Sequence, residues 1–147
     1  VEKRLKKIVE IDPSSPLVNE AFMVYHFTKR DWDKAVEYIG KMRQDDPNDP
    51  YLDADLAYIY TANGKTKEAR ELIDKISREM SENTGTKYSL LAFASAAFDN
   101  LDECFKWLNL AYETREVFYG WFRQYPLFEN VQKDPRFNDI LRKANLL

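Results

Sequence analysis

Glycine is the first scarcity: the 147 residues hold four, and no two of them stand close together. A phosphate cradle needs closely spaced glycines and an all-β chain needs many tight turns, so neither reading has support. A single cysteine, Cys104, excludes an internal disulfide and fits a reducing, cytoplasmic setting. Basic excess is also missing. The 22 Lys and Arg are outnumbered by 25 Asp and Glu, the two signs alternate along the chain, and the net charge is −3. Without a basic stripe the chain does not read as a nucleic-acid binder. No apolar run approaches the roughly 20 residues that span a bilayer, so no membrane partner is expected. The first residue is Val rather than Met, and the natural protein is expected to continue upstream.

What the chain does have is a repeat. Asp12-Pro13-Ser14-Ser15-Pro16 returns as Asp46-Pro47-Asn48-Asp49-Pro50, with both prolines displaced by 34 residues. Val1, Leu5 and Ile8 are echoed at the same step by Ala35, Ile39 and Met42, then by Ala69, Ile73 and Ile76. Cys104, Leu108 and Ala111 follow one residue late. A period in this range marks stacked supersecondary units, each unable to bury its apolar face alone. Apolar spacing, prolines and turn residues predict helices over 17–29, 32–44, 51–62, 66–80, 88–98 and 101–113, with a loop at 81–86. The tail is different. It is rich in aromatics (Phe118, Tyr119, Trp121, Phe122), then runs through Pro126-Leu127-Phe128 to a last amphipathic helix carrying Phe137, Ile140 and Leu141. That helix is expected to cap the open end of the stack, since solenoids need a polar-backed end.

The period, the two-helix unit and the small-residue positions resemble the tetratricopeptide repeat. The second unit carries the pattern best, with Leu56-Ala57, Tyr60, Gly64, Ala69, Ile73 and Ile76. The third keeps Leu91-Ala92 but has Ser95 and Cys104 at the Tyr and Ala positions. The first has Phe22-Met23 and His26, and the opening Trp is absent throughout. The resemblance implies an all-α, right-handed α-solenoid with a C-terminal capping helix. Its expected divisions are the second helix of a truncated repeat at 1–13, repeats at 14–48, 49–83 and 84–116, and an aromatic segment with cap at 117–147. The end of the chain (Trp107 to Glu113, Tyr125 to Phe128, Asp134 to Phe137, then Ile140-Leu141-Arg142) is similar to that of prokaryotic tetratricopeptide domains attached to cyclase-like, kinase or winged-helix modules.

The resemblance also implies a function: non-catalytic recognition of a helical or extended protein segment in a concave groove. Its register points to Val24, Phe27, Tyr51, Tyr58, Thr61, Ser89 and Phe93 as the groove, with Glu20, Thr28, Ala54, Thr86, Ala96 and Ala97 beside them. Family members that hold a C-terminal carboxylate use Lys, Arg and Asn there. Glu20, Val24, Ala54, Tyr58, Ser89 and Phe93 replace them, so an aromatic groove is expected instead of a carboxylate clamp. Two other readings are an intramolecular regulatory or self-association domain and a small-molecule sensor. An exposed strip of Val1, Leu5, Ile8 and Ile11 is expected to favour a homo-oligomer.

Nothing in the sequence assembles a nucleophile and base, and no cofactor is implied. His26, the only histidine, reads as a packing residue. Cys104 reads as a buried, inert thiol. Asp45, Asp46 and Asp49 lack the glycine and terminal glutamate of a calcium loop, and read as turn and cap residues rather than metal ligands.

Overall fold

The computed structural model describes residue 7 and residues 9–13, 15–82, 87–116 and 119–146. Val1, Leu5, Ile8, Thr86, Val117 and Phe118 lie outside the described residues, as do the side chains of Tyr119 and Trp121. Every regular element among the described residues is helical. Three antiparallel hairpins follow one another: α1 (Pro16–Thr28) with α2 (Trp32–Asp45), α3 (Pro50–Ala62) with α4 (Thr66–Glu82), and α5 (Tyr88–Ala97) with α6 (Leu101–Glu113). They stack through α2 on α3 and α3 on α5.

Local chemistry sets the ends. Proline opens α1 and α3, where its missing N–H is no loss. Asp49 Oδ1 accepts from Tyr51 N at 2.9 Å and caps α3. Each hairpin turns on one residue in the left-handed region, Arg30 (φ 59), Gly64 (φ 76) and Asp99 (φ 58). The next amide then reaches back five residues: Asp31 N to His26 O (2.9 Å), Lys65 N to Tyr60 O (2.8 Å) and Asn100 N to Ser95 O (3.0 Å). This is the Schellman closure, repeated once per unit. The sequence period is thus also a period of backbone geometry.

The first and second helices of each hairpin differ in how they are covered. The central first helix, α3, buries Leu52, Asp53, Ala54, Asp55, Ala57, Tyr58 and Ile59, spread round most of its circumference. Its partner α4 keeps one buried stripe containing Ala69 and Ile76. First helices are therefore enclosed, while second helices face solvent on one side.

After α6 the chain makes the short helix α7 (Tyr119–Gln124), a 3₁₀ turn (Pro126–Phe128), α8 (Glu129–Lys133) and α9 (Pro135–Lys143). The last of these is the cap: Phe137, Ile140 and Leu141 are buried and α9 packs on α6. Arg136 fastens it, with Nη1 at 2.7 Å from Asp102 Oδ1 and its guanidinium 4.5 Å from the Phe105 ring. The intervening stretch does something else. The 3₁₀ turn reaches across to pack on α1, at the other end of the stack.

Candidate binding groove

The first helices bring the expected groove residues onto one face, but that face is covered. Tyr58 is 6% exposed, Phe93 2% and Ser89 2%, where an open recognition surface was expected. The cover is the chain's own C-terminal stretch. Phe128, fully buried, stands edge-on to Phe93 with ring centroids 4.4 Å apart, and edge-on to Tyr58 at 5.4 Å. Phe122 stacks on Phe128 at 4.0 Å and meets Phe93 at 6.2 Å. Edge-to-face aromatic pairs in this range add to simple burial. Tyr58 and Phe93 also touch each other, at 5.4 Å, beneath this cover.

Polar side chains pin the stretch in place. Asn130 Nδ2 donates to Ala96 O (2.9 Å) and Asp99 Oδ1 (3.0 Å) at the end of α5. Gln132 Nε2 donates to the carbonyls of Phe122 (2.8 Å) and Tyr125 (3.0 Å), closing the stretch on itself. The remaining groove residues are half-buried. Val24 and Phe27 bridge the two hydrophobic clusters, and Phe27 meets Trp32 edge-on at 5.6 Å. Tyr51 Oη lies 2.9 Å from Ser89 Oγ. Thr61 keeps its Oγ1 buried without a hydrogen-bond partner, and the Tyr58 hydroxyl, beside Asn130, makes no bond of ordinary geometry either. Ser89 has a further role: its amide and that of Tyr88 donate to the Glu116 carboxylate at 3.0 and 2.9 Å, so a residue beyond α6 caps α5.

The face stays open at one end. Between α1, the turn after α2 and α3 lies a cavity of about 190 Å³, lined by Leu17, Glu20, Met42, Tyr51, Leu52, Asp55 and Tyr125 together with Asp45, Asp46 and Asp49 of the turn. Asp55 is 6% exposed, and burial, followed by the charges of Glu20 and Asp49, pushes its carboxyl well above the usual range. The neighbouring Tyr125 hydroxyl offsets only part of that rise, and Oδ1 has no partner. Burial raises Glu20 as well.

Asp53, two residues earlier, shows the opposite outcome. Burial raises its pKa, but hydrogen bonds from Lys75 (2.7 Å) and Arg43 (2.6 Å) outweigh that and leave it below the usual range. Asp55 and Tyr125 were missed as site residues. A signal for Asp55 did exist: Leu52 and Ile59, three before and four after it, put it on a buried helical face.

The rejected candidates have ordinary employment. His26 stacks on Tyr38 at 5.5 Å with Nδ1 3.1 Å from Asp31 Oδ2. Cys104 is fully buried, and desolvation pushes its thiol up to about 12. Asp46 Oδ1 accepts from Asn48 N at 3.2 Å in the turn, as Asp49 does for its helix.

Stacked helical hairpins with left-handed turns at a fixed period define an all-α solenoid. Residues 26–92, from the end of α1 into α5, match the family model for the tetratricopeptide repeat. Such repeats generally mediate protein–protein interaction, typically without catalysis. No curated protein and no solved structure matches the chain. No described helix is long and apolar enough to cross a membrane.

Proposed function

We propose that this chain is a non-catalytic protein-recognition module whose aromatic face is occupied by its own C-terminal stretch, and that a partner meets it at the open rim around Tyr51 and Tyr125. The observation that carries this reading is Phe128 seated between Tyr58 and Phe93. Magnitudes decide what can bind there. Phe122, Leu127, Phe128 and Val131 are each at most 3% exposed. At about 1.5–3 kcal/mol for each such side chain, lifting the stretch costs roughly 6–12 kcal/mol. A micromolar peptide supplies about 8 kcal/mol in total. A partner of ordinary affinity therefore gains little by displacing it, and contact at the rim costs nothing comparable.

Exposed Leu17 and half-buried Tyr51, both on the wall of the open cavity, supply the apolar and aromatic surface that such a rim contact would use. Peptides selected by display against the whole chain, then mapped by amide chemical shifts, test the reading. Shifts should concentrate in 17–28, 45–55 and at Tyr125. Shifts centred on Tyr58 and Phe93, with loss of the Phe128 contacts, would overturn it. That second outcome is the signature of the regulatory alternative, in which the C-terminal stretch is a releasable occupant.

A further inference from the structure

The cavity at the open rim has a chemistry of its own. Of the ten described residues that line it, five are acidic and none is basic. Arg43, next to Met42 of the wall, bonds Asp53, and Lys87 lies over the ring of the wall residue Tyr51 at 5.7 Å. Carboxylates clustered in a turn would mean little alone, because Asp46 and Asp49 have structural work. Asp55 is different. It sits in the middle of α3, nine-tenths buried, on the cavity wall, with Oδ1 unpartnered. A buried acceptor without a donor is costly, so the arrangement calls for a donor from outside the chain.

The walls narrow the choice. Leu17, Met42 and Leu52 are apolar, and Tyr125 adds an aromatic side chain to the wall. At roughly 30 Å³ of liquid volume per water, 190 Å³ holds a short chain rather than a bare ion. Among the described residues no His, Cys, Asp and Glu group could hold a metal. A guanidinium wants a two-oxygen fork, whereas two separate carboxylates on the wall, Asp55 and Glu20, suit the point charge of an ammonium. We infer that this cavity is a site for a primary ammonium group on a short aliphatic stem, with the carboxylates of Asp55 and Glu20 taking the charge and Leu17, Met42 and Leu52 taking the stem. The group can arrive as a lysine side chain of a partner peptide or as a free alkylamine. This inference rests on the reading of the rim as the open binding surface.

Two probes separate the sources: n-butylammonium, and a lysine peptide capped at both ends, with the same peptide carrying norleucine as control. Amide shifts should map to 17–20 and 45–55 for at least one ammonium probe. The norleucine peptide should bind at least about tenfold more weakly than the lysine peptide wherever the latter binds, the scale of one charge-assisted hydrogen bond. Asp55→Asn should weaken ammonium binding by a similar factor, and Glu20→Gln should weaken it too. If Asp55→Asn fails to fold, Glu20→Gln decides alone. Binding of butylammonium only assigns the site to free amines, and binding of the lysine peptide only assigns it to a partner's side chain. No shift with either probe overturns the inference, as does equal binding by lysine and norleucine peptides or by wild type and both variants. Rim-binding peptides without lysine preference would sink this inference and spare the recognition reading. Butylammonium binding without any rim-binding peptide would do the reverse.

Discussion

The two ends of the first-helix face are covered in different ways. At one end Tyr58, Phe93, Phe122 and Phe128 close on one another until none is more than 6% exposed. At the other end Glu20 and Asp55 line a cavity with no basic side chain among the described residues of its wall. Apolar surface found its cover within the chain, from beyond the last hairpin. Charge at the rim did not, although Asp53 on the same helix acquired two cations. The difference teaches where to look for a partner: the aromatic end is spent on folding, and the acidic end is unsatisfied.

The largest way to break this comparison is Phe128→Ala. A fully buried aromatic lost from a core costs about 3–5 kcal/mol, so chemical denaturation should show a drop of that order. An effect of a few tenths would mean that the stretch lies loosely on the groove.

The two aspartates sharpen the contrast further, with opposite signs. Asp53→Asn should destabilise by about 1–2 kcal/mol, less than a fully buried pair because Arg43 and Lys75 are 38% and 46% exposed and regain hydration. Its carboxyl is depressed below the ordinary value of 3.8, so its contribution is present above that pH and is lost as pH falls through the lower folded value. Asp55→Asn should stabilise by about 1 kcal/mol once the pH passes the folded value of the Asp55 carboxyl, since it removes the cost of ionising a buried carboxyl with no cation beside it. The Asp55 carboxyl is raised when folded, so the folded state holds the proton longer and stability falls as pH climbs from 3.8 to the folded value. Denaturation of wild type and both variants between pH 3 and 8 checks the pair, and parallel curves would contradict it.

Gly64→Ala should have the smallest effect, about 1 kcal/mol. A Cβ there meets nothing within 4 Å, so only the left-handed backbone at φ 76 is strained. Arg30 and Asp99 already accept that cost at the corresponding turns.

The hairpins were legible in the sequence because their determinants are local. Paired prolines, small residues at a fixed step and turn residues each act within a few positions, and they recur. The register also brought Tyr58 and Phe93 together. Their burial was not legible, because spacing reveals which residues share a face and says nothing about what lands on it. Phe122 and Phe128 come from beyond the last repeat, in a stretch with no periodic partner. Glu116 capping α5 from 28 residues away of Tyr88 is hidden for the same reason. Asp55 was within reach: a carboxylate between Leu52 and Ile59 on a helix marks a buried charge, and a buried charge needs an explanation.

The most direct test of occupancy in cis is the solution contact between rings. Nuclear Overhauser effects within one chain should link the ring protons of Phe128 to those of Phe93 and Tyr58, whose centroids lie 4.4 and 5.4 Å away. Those signals should persist on dilution, and a soluble paramagnetic agent should leave Tyr58 unbroadened. Absence of both contacts, with Tyr58 broadened as strongly as an exposed tyrosine, would contradict the account.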